Sequence, residues 1–412
     1  IRRQRQMCIR DRTRIALVKR ILVGLILGAI LGIAVPQATG IAILGDVFVS
    51  ALKAIAPLLV FFLVISSLCN AGKSHGGVIK TVIILYMFST VLAAVIAVFA
   101  SMAFPVKMTL ANAATDTSAP QGIVEVLNNL LLNVVANPVS SLVNANYVGI
   151  LMWAVLLGLA FRAADKMTKK VLADVADGIS MVVTWIINLA PFGIFGLVFN
   201  TVSTNGLDIF TTYGKLLLLL VGCMLFIYFV TNPLLVYWCI RQNPYPLIFH
   251  CLKRSALTAF FTRSSAANIP VNMKVCEEMG LDRDTYSVTI PLGATINMDG
   301  AAITITVMTM ATAFTLGIHV DIPTAIILSL LAALSACGAS GVAGGSLLLI
   351  PMACSLFGIS DDISMQVVAV GFIIGVVQDS VETALNSSSD LLLSASAEFR
   401  QWRLEGKEIK FK

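Results

Sequence analysis

Long apolar runs constrain this chain more than any other feature of its sequence. Six of them precede residue 241, and each is bounded by Lys, Arg, Gly, Pro or Asn. They lie at about residues 15–35, 41–69, 78–105, 147–161, 178–202 and 213–240. Because a helix of about 20 apolar residues crosses the hydrocarbon core of a bilayer, these runs predict membrane-spanning helices.

The composition excludes a water-soluble enzyme. Of the 412 residues, 58% are hydrophobic and 12% are charged, and the mean hydropathy is +0.91. Soluble domains carry about 25% charged residues, and so few polar groups could not cover a surface that faces water. We therefore expect an all-α, multi-pass protein whose solvent is the lipid bilayer.

The chain beyond residue 241 has a different pattern. Its apolar stretches are interrupted by Ser, Gly, Asn and Asp, with turn-forming runs at residues 262–270 and 336–346. Non-helical backbone at membrane depth occurs only where it is buried in protein or lines a cavity. We therefore predict two helical hairpins that enter from opposite sides, separated by a helix at about 286–318 and followed by a last helix at about 363–397. Two opposed hairpin tips indicate a central site with alternating access.

Basic residues set the predicted orientation. With these crossings, only Lys53, Lys107 and Lys215 of the 28 Lys and Arg residues fall on the outer side, while Arg263 lies within the first hairpin. Lys and Arg concentrate on cytoplasmic loops, so both termini are expected in the cytoplasm. This topology accounts for the net charge of +6 without a nucleic-acid partner.

A weak internal repeat favours inverted symmetry. Residues 56–64 and 190–198 share Ala, Pro, Phe, Leu and Val at matching positions. The two helices that contain them are predicted to enter from opposite sides. Together with the paired hairpins, this favours inverted-topology repeats.

Three glycines recur at every fourth position of the first helix. Gly24, Gly28 and Gly32 therefore share one helical face, where the lack of a side chain lets another helix approach closely. We expect a packing contact there.

Five ionisable residues lie within the apolar second half. They are Arg263, Asp299, Asp379, Glu382 and Asp390. Each such group costs at least about 2.5 to 3.5 kcal/mol in a bilayer, so each is a functional candidate. At about 100° per residue, the three acids of the last helix share a face with Thr383 and Asn386.

One positive and four negative groups leave a net negative charge, which must either take up protons or bind cations. The polar runs at 293–300 and 386–390 predict helix breaks beside two of the acids, and such breaks free carbonyl oxygens that coordinate Na⁺. The alternative is that Arg263 pairs with Glu382 while the other acids are protonated structural groups.

The motifs together resemble the dicarboxylate/amino acid:cation symporter family, which has the glutamate transporter fold. The resemblance covers about residues 13–397, and its elements are residues 262–265, 297–300, 338–344 and 379–390. The branch that the chain resembles most is the bacterial serine/threonine transporters. The resemblance implies a Na⁺-coupled symporter for L-serine and L-threonine in the bacterial inner membrane, working by an elevator mechanism and assembled as a homotrimer.

The resemblance also implies a domain organisation. Eight transmembrane helices and two re-entrant hairpins would form a scaffold (helices 1, 2, 4 and 5) and a transport domain (helices 3 and 6 with the core). In order, we predict a basic tail at 1–14, helices 1 to 6 at 15–240, the transport core at 241–397 and a cytoplasmic tail at 398–412.

Three sodium sites are implied by the same family pattern. The first would use Asp390 with carbonyls of Gly293, Asn297 and Asn386. The second would lie near Thr295 and the carbonyls of Ala336, Cys337 and Ala339. The third, present in some relatives, would use Tyr86, Ser89, Thr90, Asn297 and Asp299.

The implied substrate site centres on the last helix. Asp379 would bind the α-ammonium group, with Thr383 beside it. The α-carboxylate would be bound by Asn386 and by the hairpin tips, namely Ser264, Ser265, Val342, Ala343 and Gly344. Relatives with acidic substrates have an Arg where this chain has Glu382, so a neutral side chain is expected here, with Arg263 neutralising Glu382.

Other functions remain as alternatives. A glutamate/aspartate or C4-dicarboxylate symporter shares the fold but expects Arg at position 382. An ion channel is less consistent with two hairpins that close one side at a time. No Ser-Lys, His-His or GxSxG arrangement indicates an enzyme.

Overall fold

The computed structural model describes residues 17–70, 77–110, 132, 135–144, 146–206, 209–337, 339 and 344–409. Within these ranges the protein is helical and has no strands. Seventeen α-helices are described, and shorter 3-10 or π turns connect some of them. They are α1 Leu17–Ala34, α2 Ile43–Asn70, α3 Gly77–Ala103, α4 Pro138–Val143, α5 Tyr147–Ala160, α6 Lys166–Asn188, α7 Ala190–Asn205, α8 Ile209–Phe226, α9 Asn232–Ile240, α10 Tyr245–Cys251, α11 Leu257–Thr262, α12 Ser265–Glu278, α13 Arg283–Ile296, α14 Asp299–Thr315, α15 Ile322–Ala336, α16 Ile350–Ser355 and α17 Asp361–Leu404.

Six helical segments of the described chain are long and apolar enough to cross a membrane. They are Thr39–Asn70, Gly77–Ala103, Lys166–Asn188, Phe210–Ile240, Arg283–Thr315 and Asp361–Leu404. The fifth apolar run was predicted at about 178–202, but the helix that contains its first part begins earlier, at Lys166. It is also divided at Leu189, because Pro191 has no N–H to continue the helical hydrogen bonds.

Helices α1, α2, α5, α6 and α7 form a first packed group. The predicted glycine contact is confirmed, because the glycines of α1 lie directly against α7. A Cβ atom added at Gly24 would be 2.3 Å from the Pro191 carbonyl oxygen, and one added at Gly28 would be 2.6 Å from that of Phe195. Gly32 meets Phe199 in the same way.

The remaining long helices form a second packed group around α17. Helix α3 lies against α14 and α15, and α8 and α9 lie against α17. Helix α17 is buried along most of its length and was expected to end near residue 397, but it continues to Leu404. Its end is held by its neighbours: Glu398 accepts from the Asp282 N–H at 2.6 Å, and Arg403 donates to the Cys239 carbonyl at 3.1 Å. The predicted tail at 398–412 therefore begins as buried helix.

Two helix–turn–helix units pack on α17. The first runs from α10 to α12 and turns at Arg263, whose φ of 52° is left-handed. The Ser264 hydroxyl then accepts from the Ala267 N–H at 3.2 Å and begins α12. The second runs from α15 to α16, and its tip at residues 340–343 lies outside the described residues.

The two predicted helix breaks have different outcomes. The helix predicted at about 286–318 is interrupted at Asn297 and Met298, between α13 and α14, as the sequence predicts. The break at 386–390 is wrong, because α17 is continuous there. The side chains of the serines in this stretch all have hydrogen-bond partners that leave the helix continuous. Ser388 donates to the Ala384 carbonyl four residues back, while Ser387 and Ser389 accept from Asn268 and Asn232 of neighbouring helices.

Candidate functional site

Asp299 is the first residue of α14, directly after the helix break, and it is fully buried. Ser89 donates to its Oδ2 at 2.7 Å, and Thr90 donates to its Oδ1 at 3.1 Å. Thr90 also accepts from the Met298 N–H at 3.2 Å. The helix break is thereby fastened to α3, and hydroxyl oxygens from α3 surround the carboxylate.

Asp390 of α17 is 1% exposed and lies beside the same break. The Asn297 amide donates to its Oδ1 at 2.9 Å, and a Cβ at Gly293 would be 2.7 Å from that oxygen. The Tyr86 hydroxyl donates to the Asp390 carbonyl at 2.8 Å. The structure thus brings Asp390 and Gly293 of the predicted first sodium site together with the residues predicted for the third, which are Tyr86, Ser89, Thr90, Asn297 and Asp299.

These two carboxylates have the chemistry of a cation site. Neither forms an ion pair with any residue that the structure describes. Asn297 Oδ1 is buried and has no hydrogen-bond partner in the same part of the chain. Buried carboxylates and an unpartnered amide oxygen are hard donors, which suit an alkali cation better than a soft metal.

The residues predicted for a second sodium site also lie near the break. The Cys337 thiol is 3.8 Å from the Ile296 carbonyl oxygen, which brings the end of α15 to the end of α13. Ala336 and Ala339 are buried there, and the Ala339 N–H donates to the Ala336 carbonyl at 2.9 Å. The Thr295 hydroxyl donates to the Leu292 carbonyl at 2.7 Å.

The predicted pairing of Arg263 with Glu382 is wrong. Arg263 Nε instead donates to Asp379 Oδ2 at 2.6 Å. The Gly344 N–H donates to the other oxygen of Asp379 at 3.2 Å, and the Thr383 hydroxyl donates to the Asp379 carbonyl at 2.8 Å. Arg263 therefore reaches Asp379, whereas Glu382, almost a turn further along α17, faces α14.

Glu382 is held by a separate set of neutral donors. Its Oε2 accepts from Thr304 at 2.7 Å and from Ser346 at 2.9 Å. Gln378 also donates to this oxygen, and Gly300 packs against the side chain. The carboxylate therefore links α17 to α14 and to the second helix–turn–helix unit.

The remaining predicted substrate residues are placed as follows. Asn386 accepts from the Gly300 N–H at 2.7 Å, so it reaches the helix break. Ser265 is buried at the first turn, and Ser264 caps α12. Val342 and Ala343 lie outside the described residues.

The space beside Asp379 is closed. A cavity of about 10 Å³ separates Arg263, Gly344 and Asp379 from Ile187, Ala190 and Ile194 of the first packed group. A cavity of this volume holds about one water molecule, so it is too small for an amino acid. The Arg263–Asp379 pair thus lies at the boundary between the two packed groups.

Sequence reasoning missed several polar residues of the site. Gln378, Thr304 and Ser346 bind Glu382, and the side-chain oxygen of Asn232 lies 3.5 Å from the Ser89 hydroxyl. Gln378 could have been found, because it lies four residues before Glu382 in an apolar helix and so shares its face. The threonines and serines carried no such signal, since they are common in membrane helices.

Apolar helices long enough to cross a membrane, packed around buried carboxylates, are features of a membrane transporter. A model of the sodium:dicarboxylate symporter family matches residues 17–398, and the chain belongs to this family.

Its relatives include transporters of two genera. The chain is 58% identical over 395 residues to a serine/threonine transporter of Bifidobacterium adolescentis, covering 96% of this chain and 92% of the relative. It is 56% identical over 391 residues to one of Streptococcus thermophilus, covering 95% and 97%. It is 58% identical over 384 residues to one of Streptococcus agalactiae, covering 93% and 96%.

Proposed function

We propose that the protein is a sodium-coupled symporter that imports serine and threonine. The names of its relatives support the substrates, and the name of its family supports the cation. The observation that carries the proposal is the buried pair Asp299 and Asp390, which has no cationic side chain beside it in the described chain. Two uncompensated carboxylates in a low-dielectric interior are tolerable only when cations or protons join them.

Sodium would be bound at the break between α13 and α14. Asp390, Asn297 and carbonyls near Gly293 supply one group of oxygen donors, and Asp299 with Ser89 and Thr90 supplies another. Thr295 with the end of α15 would supply a third. Because these groups join α3, α13, α14, α15 and α17, bound sodium would hold the break and the second helix–turn–helix unit together.

The amino acid would bind beside Arg263. Its ammonium group would pair with Asp379, while Asn386, the first turn and residues 342–344 would bind its carboxylate. Both oxygens of Asp379 are already engaged, by Arg263 and by the Gly344 N–H. The substrate ammonium group would displace the Gly344 N–H or join it at this carboxylate, and the second helix–turn–helix unit would then act as the gate.

Glu382 would exclude acidic substrates. Its carboxylate lies within a turn of Asp379 on α17, and it accepts from neutral donors rather than from Arg263. A substrate carboxylate would meet a like charge there, whereas a hydroxyl could donate to Glu382 or accept from Ser346.

Movement of the two packed groups against each other would complete transport. The first group would be the scaffold, and the second, with α3 and both helix–turn–helix units, would be the moving body. The exposed apolar residues of α6, including Met181 and Trp185, offer a subunit contact for a homotrimer. Both termini would lie in the cytoplasm, with the protein in the inner membrane.

Uptake of radiolabelled serine into proteoliposomes tests the proposal. We expect uptake to require an inward sodium gradient and to be inhibited by threonine but not by aspartate. Asp390→Asn should reduce uptake by more than about tenfold, because an interaction with a charged group contributes about 1.5 to 3 kcal/mol. Asp177→Asn, at an exposed position of α6, is the matched control.

Two results would contradict the proposal. Sodium-independent serine uptake would remove the coupling, and strong inhibition by aspartate would favour a dicarboxylate symporter instead.

A further inference from the structure

A large apolar groove runs between α3 and α8, away from the carboxylate site. Its volume is about 890 Å³, which is within the range of about 300 to 1,000 Å³ that is typical of small-molecule sites. Thirteen of the described residues line it, and Lys215 is the one charged residue among them. They are Ile96, Phe99, Ala100, Ala103, Phe104, Pro105, Val106, Lys215, Leu218, Leu219, Gly222, Cys223 and Phe226.

The polar and apolar parts of the groove are separated along its length. On α8 it extends from Lys215 to Phe226, which is about 16 Å at roughly 1.5 Å per residue. On the other side it follows α3 from Ile96 to Ala103 and continues to Val106. In the predicted topology α3 ends and α8 begins on the outer side. Lys215 is therefore at the outer end, and Phe226 lies deeper in the membrane.

A second lysine lies at the same end. Lys107 directly follows the lining residue Val106, and both lysines are exposed. Neither forms an ion pair with another residue in the described ranges. The predicted topology places only three lysines on the outer side, and these are two of them. Most of the positive charge predicted for the outer surface therefore lies at this end of the groove.

We propose that this groove binds one anionic phospholipid of the outer leaflet. An acyl chain would occupy the apolar length from Leu218 to Phe226, and the headgroup phosphate would pair with Lys215 and Lys107. No acidic side chain is among the described residues that line the groove, so charge complementarity selects a headgroup with net negative charge. The proposal concerns the lipid-facing side of the protein and is independent of the transported substrate.

Glycines of α8 provide a matched test of the acyl chain. A Cβ at Gly222 would meet no atom within 4 Å, and Gly222 lines the groove. Gly222→Leu would therefore introduce a side chain into the groove at a position where the Cβ has room. Gly214 on the same helix is equally open but does not line it, so Gly214→Leu is the control.

Lysines provide the matched test of the headgroup. Lys215→Gln removes the charge that lines the groove. Lys80→Gln removes an exposed lysine from the opposite end of α3 and is the control.

The measurement is native mass spectrometry of the purified full chain after incubation with phosphatidylglycerol or phosphatidylethanolamine. We expect preferential retention of phosphatidylglycerol. Lys215→Gln should lower it by about fivefold, the effect of one lysine at an anionic lipid surface. Gly222→Leu should lower it to a similar extent, while Gly214→Leu and Lys80→Gln should match the parent chain.

Three outcomes would overturn the proposal. Equal retention of the two lipids would remove the charge selection. Loss in Lys215→Gln without loss in Gly222→Leu would place the lipid outside the groove. No change in either variant would mean that the retained phosphatidylglycerol binds elsewhere on the protein.

Discussion

Nε of Arg263 lies 2.6 Å from Oδ2 of Asp379, and this ion pair joins the first helix–turn–helix unit to α17. The two side chains are only 13% and 5% exposed. The pair stands beside the small cavity at the boundary of the two packed groups. The same carboxylate would receive the ammonium group of the substrate. Arg263 therefore partly neutralises the negative charge that this ammonium group would encounter.

Removal of Arg263 should be far more damaging than removal of a surface arginine. Arg263→Ala leaves Asp379 buried without its partner, which should destabilise the fold by about 3 to 5 kcal/mol. Arg254 pairs with Glu278 at the surface, and both side chains are at least 40% exposed. Arg254→Ala should therefore cost less than about 1 kcal/mol. Thermal unfolding of the detergent-solubilised variants measures the difference, and equal losses would contradict the buried pair.

The glycine contact between α1 and α7 should tolerate no added methyl group. Gly24→Ala places a Cβ 2.3 Å from the Pro191 carbonyl oxygen, so the helices must separate. Such overpacking costs about 1 to 3 kcal/mol. Gly178→Ala in α6 meets no atom within 4 Å and should be neutral or stabilising by up to about 1 kcal/mol, since alanine favours a helix. Melting temperatures that change in the same direction for both variants would disprove the close contact.

The hydroxyls of α3 should affect sodium dependence. Ser89→Ala removes a donor to Asp299 and, in the proposed site, an oxygen near the cation. We expect the sodium concentration for half-maximal serine uptake to rise by about threefold to tenfold, since one hydrogen bond contributes about 0.5 to 1.5 kcal/mol. Ser101→Ala is the control, because Ser101 is also buried in α3 but bonds to the Ala97 carbonyl of its own helix. An unchanged sodium dependence in Ser89→Ala would exclude a cation at Asp299.

Position 382 should determine which substrates compete. Glu382→Arg should weaken serine uptake and admit aspartate, because the substituted side chain attracts a carboxylate instead of repelling it. Since Gly300 packs tightly against Glu382, Glu382→Gln serves as the variant of the same size. It should reduce serine uptake, because Thr304 and Ser346 would bond to a neutral oxygen more weakly. Aspartate should compete less well in this variant than in Glu382→Arg, because no positive charge attracts its carboxylate. Serine uptake competed with aspartate checks both, and unchanged competition in Glu382→Arg would remove the role of this residue.

Helices were easier to predict than their interruptions. The runs at 41–69 and 78–105 correspond closely to α2 and α3, because a spanning helix needs only sustained apolar character. The break at Asn297 was predicted from its polar flanks. The one at 386–390 was predicted from the same signal and is wrong, because Asn232 and Asn268 bind the serines there from neighbouring helices.

The sequence determined that this chain is a helical membrane protein with acids in its interior, because hydropathy and the positions of charges are local properties. It also placed Asp379, Glu382 and Asp390 on a common side of one helix, since helical periodicity is fixed by the backbone. Only the tertiary structure decided that Arg263 pairs with Asp379 and that Glu382 faces Thr304 and Ser346. Those partners depend on the left-handed turn at Arg263 and on the packing of α14 and the second helix–turn–helix unit against α17. Contacts between residues distant in sequence cannot be read from periodicity.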